Sequence, residues 1–97
     1  MYNHNAYTPS AYQAKNILLD VIELGNDILR GGVVSDHIFD RWLDLSYKAL
    51  KATFGNESYN IEADYMKIQI EMLRHSLDPS RKLDYCLDYL VSLAKAI

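Results

Sequence analysis

Four stretches of the chain carry apolar residues at helical spacing, and each is bounded by residues that start or stop a helix. A stripe of that period buries only one side of a helix, so a chain made of four such stretches has to fold by packing helix on helix. Gly31-Gly32, Gly55 and Asp78-Pro79 stand between the stretches, and none of the stretches alternates apolar with polar residues as a half-buried strand does. The expected fold is all-α, an antiparallel up-down-up-down four-helix bundle with helices at about 9–30, 36–54, 58–76 and 79–96. Residues 1–9 form an N-terminal arm, and 10–97 form a single domain.

In the first helix Ala14, Ile17, Leu18, Val21, Ile22, Leu24, Gly25, Ile28 and Leu29 share one arc at about 100° per residue, with Asp20, Glu23 and Asp27 opposite. Thr8-Pro9 supplies a cap and a first-turn proline, with Ser10 and Gln13 as an alternative capping box. Gly25 lies inside the arc, where a missing side chain lets a neighbouring helix come close. The second helix starts at Ser35 or Asp36 and turns Ile38, Phe39, Trp42, Leu45, Ser46, Ala49, Leu50 and Thr53 inward, and Gly55 suits the left-handed residue after its end. With Ser58 as its cap, the third helix repeats Ile61, Tyr65, Ile68 and Met72 at spacings of four, three and four, the seam of a bundle helix. Asp78 caps the fourth, which carries Leu83, Cys86, Leu87, Leu90, Leu93, Ala94 and Ile97 on one face.

Size and charge narrow the classes of function. A chain of 97 residues buries only about two-thirds of the surface it exposes when unfolded, so apolar residues left over from the core tend to seek a partner. No apolar run approaches the roughly 18 residues of a membrane span. The opening Met1-Tyr2-Asn3-His4-Asn5 lacks the basic and apolar segments of a secretory signal, and the single Cys86 has no internal disulfide partner; both fit a cytoplasmic protein. Ten Lys and Arg against 13 Asp and Glu, net charge −3, weigh against a general nucleic-acid or anionic-membrane binder. The second and third helices are also too long and too acidic for a DNA recognition pair.

Bundle topology collects the basic residues Arg30, His37, Arg74, His75, Arg81 and Lys82 at one end, with the amides of Gly31 and Gly32 and the start of the fourth helix. Backbone donors and guanidinium groups together suit a phosphate, so this end is a candidate anion site for a nucleotide or another phosphorylated ligand. Against it, Asp78 already takes the cap that an anion would use, and Asp36 and Asp40 offset the charge.

Other constellations lack the spacing that chemistry needs. Glu71 and His75 are four apart where a di-iron bundle uses three, and Asp40/Asp44 and Asp84/Asp88 fall on solvent faces. Cys86 lies on a core face as an inert thiol. No zinc spacing or phosphate loop is present, so a non-catalytic chain without cofactor or metal is expected.

More apolar surface is present than one bundle needs. On the fourth helix Tyr85, Tyr89, Ser92 and Ala96 form a second line away from the core face, flanked by Asp84 and Asp88. On the third, Tyr59, Met66, Ile70, Leu73 and Leu77 widen the apolar arc, and Tyr12 and Leu19 do so on the first. Either the arm, with Tyr2 and Tyr7, folds back over these faces, or the third helix is central, or a protein partner covers them; a homodimer through the third and fourth helices is the simplest partner.

Two patterns resemble known families. Phe39-x-x-Trp42, Leu50, Phe54-Gly55, Ser58 and Tyr65 resemble a motif of small helical domains in prokaryotic conflict and phage-resistance proteins, over about 30 residues. The resemblance implies a bacterial or phage cytoplasmic sensing or interaction module, serving as an adaptor, a partner or a phage-encoded inhibitor. The six residues between Arg30 and His37 resemble the widest arginine-to-histidine spacing of the HEPN ribonucleases, which implies phosphodiester chemistry with His37 as acid or base. Here that pair spans a Gly-Gly loop between the first two helices, whereas in the family it lies at the entry to a late one.

Overall fold

A computed structural model describes residues 11–97. The arm at 1–9 with Tyr2 and Tyr7, the Thr8-Pro9 and Ser10 caps, and the side chain of Tyr12 lie outside the described residues. Among the described residues there are four α-helices and no strand: α1 Ala11–Arg30, α2 Asp36–Phe54, α3 Ser58–Arg74 and α4 Pro79–Ala96.

Local chemistry sets the helix ends. Ser35, and not Asp36, caps α2: its backbone is extended and its Oγ accepts from the Ile38 N–H at 3.1 Å. Asp78 accepts from the Arg81 N–H at 2.9 Å, and Pro79 fills the first turn of α4.

One expected boundary and one expected cap change. α3 ends at Arg74 instead of 76, because Ser76 turns left-handed with φ 51. Its N–H donates to Leu73 O and that of Leu77 to Met72 O, the Schellman arrangement that folds the following apolar residue back onto the helix. At the other end of α3, no loop separates it from α2; a single 3-10 turn, Gly55–Glu57, joins them. Gly55, with φ 57 and ψ −126, reverses the chain in a conformation open to glycine. Ser58 is therefore not a cap. Its N–H already reaches Gly55 O, and its buried hydroxyl donates to Glu62 Oε2 at 2.8 Å.

Contacts between elements give the bundle its order. Thr53 Oγ1 donates to Ala14 O at 3.2 Å and Trp42 Nε1 to Val21 O at 3.0 Å, which sets α1 antiparallel to α2. Tyr47 donates to Gln69 Oε1 at 2.7 Å, pairing α2 with α3, and Tyr89 donates to Ile61 O at 3.2 Å, pairing α3 with α4. Lys82 Nζ lies 3.9 Å from Asp36 Oδ1, so α2 and α4 start at the same end. The topology is the expected up-down-up-down bundle. Its cross-section is a rhombus: the backbones of α2 and α4 approach across the short diagonal, whereas those of α1 and α3 stay apart. The third helix is thus a corner helix and not a central one.

The core is filled by Leu18, Trp42, Leu50, Tyr65, Leu83 and Leu90, all with essentially no exposure. Gly25 faces Trp42 and Leu87, and a β-carbon there would lie 2.7 Å from Leu87 Cδ2 and 3.0 Å from the Trp42 ring. Leu24, Ile38 and Leu45, expected inside, are 41%, 38% and 44% exposed. They sit at the edges of their arcs, which reach beyond the contacts each helix makes with its neighbours.

Candidate interaction surface

Two faces of α3 do different work. The inner face is held by a polar-aromatic cluster around Tyr65. Ser46 Oγ donates to Leu43 O at 2.6 Å and accepts from the Tyr65 hydroxyl at 2.7 Å. Gln69 Nε2 donates to Tyr65 O at 2.7 Å while its Oε1 accepts from Tyr47. The Tyr65 ring lies 4.9 Å from that of Tyr47 and stacks on that of Tyr89 at 5.6 Å and 14°. Burial pushes the Tyr65 phenol well above its ordinary range, with Cys86 adding to it, and pushes the Cys86 thiol up to about 11. Cys86 is accordingly an inert thiol in the folded state.

Two expected surface positions are corrected, one by this cluster and one by the turn that ends α3. Tyr89 does not belong to an outward line on α4: its ring is stacked on Tyr65 and its hydroxyl is bonded to Ile61 O. Tyrosine is long enough to reach across from the edge of the core face once α3 lies against α4. Leu77 is likewise drawn onto the core by the turn at Ser76.

The outer face of α3 stays bare. Tyr59, Met66, Ile70 and Leu73 are 79%, 55%, 51% and 69% exposed. With exposed Ala63 they run at spacings of four, three, four and three, a second seam of coiled-coil period on the side away from the core seam. That frame was legible in the sequence but hidden inside a broad apolar arc. A groove of about 760 Å³ lies on one side of the ridge, lined by Tyr47, Lys51, Tyr59 and Glu62. Another of about 660 Å³ lies on the other, lined by Lys67, Met72, His75, Leu77 and the half-exposed Tyr85 of α4. Asp84 and Asp88 are exposed one turn apart on α4.

At the basic end, the cations are largely matched by acids. Arg30 pairs with Asp27 on its own helix. Arg74 and His75 both lie against Glu71, at 3.3 and 3.7 Å. Lys82 reaches Asp36 and sits over the Phe39 ring, 5.7 Å from its centroid. Asp78 fills the α4 N-terminus. His37 and Arg81 are exposed, and no ion pair or hydrogen bond joins Arg30 to His37 among the described residues. Topology brings the six basic residues to one end but builds no shared cradle there.

Among the described residues no group of three or more His, Cys, Asp and Glu side chains is arranged to hold a metal ion. No helix among them is long and apolar enough to cross a membrane. No family model, curated protein or solved structure matches the chain.

Proposed function

We propose that this chain is a small helical protein-interaction module that docks an apolar helix against the outer face of α3, with Tyr85 at the rim. The observation that carries the reading is the row Tyr59, Met66, Ile70 and Leu73, exposed together at coiled-coil spacing on a helix whose inner face is already fully engaged. Burying one such side chain is worth roughly 1.5–3 kcal/mol, and tyrosine adds area at low entropic cost. Tyr85 and Asp84/Asp88 on α4 extend the surface, apolar nearest the groove and acidic beyond it. A lone buried thiol suits a reducing compartment, and the module belongs in the cytoplasm. The resemblance around Phe39, Trp42, Phe54 and Gly55 favours an adaptor or inhibitor in bacterial or phage conflict.

The test is a photo-crosslinking amino acid placed at Leu73 and, as a control, at exposed Glu23 on α1, whose backbone stays clear of α3. An adduct of defined mass at position 73 and none at 23 is expected. Absence of an adduct at 73, in purified protein and in cells that express it, refutes the reading.

A further inference from the structure

Resting on that docking face, we infer that its occupant is a second copy of the chain, paired through α3 in parallel alignment. The seam is the first reason. Tyr59, Ala63, Met66, Ile70 and Leu73 keep a 3.5-residue period over about 21 Å of helix, the repeat with which two like helices interdigitate. Small Ala63 near the middle lets the two backbones approach.

The flanks choose the direction. On one side of the seam stand Lys67 and Arg74, each just after a seam residue; on the other stand Glu62 and Gln69, each just before one. In a parallel pair, the residue before a seam position on one helix faces the residue five further along on its partner. Glu62 and Lys67 are five apart, so a two-fold axis along the seam sets Glu62 of each copy opposite Lys67 of the other, twice. An antiparallel pair instead sets the Lys67 and Arg74 flank against itself, like charge on like.

Local contacts favour the exchange. The Ser58 hydroxyl holds one oxygen of Glu62, steadying the carboxylate at the groove wall and leaving Oε1 to accept. Among the described residues Lys67 is held only by Asp64, at 3.8 Å with both side chains mostly exposed, a contact weak enough to give up. Gln69 is turned inward on Tyr47 and Tyr65 and brings no charge to the seam.

The experiment is sedimentation equilibrium of the wild type, Lys67→Glu, Glu62→Lys and a one-to-one mixture of the two variants, with circular dichroism as the check on folding. The expected result is a wild-type dimer, about tenfold weaker association in each variant, and recovery in the mixture, where both crossed pairs are again opposite in sign. Lys67 is exposed, so Lys67→Glu reads the proposal even if Glu62→Lys disturbs Ser58. A wild-type monomer overturns the proposal. So does a dimer that Lys67→Glu leaves unchanged or tightens, the antiparallel signature. A dimer lost on Leu73→Asp but indifferent to the charges, or a foreign adduct at position 73 on a monomer, removes the parallel pairing and leaves the docking face standing.

Discussion

The Tyr65 hydroxyl is a donor to Ser46 Oγ, at 2.7 Å in a fully buried site, because Ser46 has already given its own proton to Leu43 O. That direction predicts unequal costs for the two deletions. Ser46→Ala strands a buried phenol donor beside only a weak sulfur acceptor and should cost about 1–3 kcal/mol. Tyr65→Phe leaves the serine bonded to its carbonyl and should cost about 1 kcal/mol. Urea unfolding of both variants measures the order, and an equal or reversed order contradicts the assigned donor.

Alkaline pH should unfold the protein early. Cys86 is raised from an ordinary 9.0 to about 11, chiefly by burial, and Tyr65 is raised from 10.0. Above about pH 9 the unfolded chain releases a proton that the folded chain keeps, so stability falls as pH rises, by about 1.4 kcal/mol per unit for the thiol. Above about pH 10 the phenol steepens the fall. Urea midpoints between pH 8 and 11 follow this, and Cys86→Ala should remove the first part of the slope.

Gly25→Ala should destabilise, although alanine is the better helix former by about 1 kcal/mol. The new methyl would meet Leu87 Cδ2 at 2.7 Å and the Trp42 ring at 3.0 Å. Leu87 has a flexible end, but Trp42 is tied to Val21 O, so overpacking of about 1–3 kcal/mol outweighs the propensity gain. A lower melting temperature, partly recovered by adding Leu87→Val, is the expected result.

Ser76→Gly should stabilise. Serine at φ 51 bears a left-handed penalty of about 1–2 kcal/mol that glycine avoids, against a smaller loss from added freedom in the unfolded chain. A net gain of about 0.5–1 kcal/mol, read as a rise of a few degrees in thermal midpoint, is expected.

Phosphate should bind poorly at the basic end. Asp78 holds the α4 amide there and Glu71, Asp27 and Asp36 hold cations, so an anion has to displace carboxylates to enter. Nucleotides or inorganic phosphate at millimolar concentration should leave the thermal midpoint unchanged. A shift that disappears on Arg81→Ala would establish the site instead.

Sequence alone determined the number of helices, their order, most of their ends and most of the core. Apolar period, Asp78-Pro79 and Ser35 act within a few residues, and short connections leave little choice of topology. What only the tertiary structure decided is which apolar residues remain outside. Tyr89 and Tyr85 are one turn apart on α4, yet one is stacked on Tyr65 and the other is half-exposed. Leu73 and Leu77 part in the same way at the turn of Ser76. Period places a residue on an arc, but how much of that arc is covered depends on how many neighbours the helix has. Here α2 and α4 both pack on the inner side of α3, and nothing among the described residues packs on its opposite side, which leaves Tyr59, Met66, Ile70 and Leu73 at the surface.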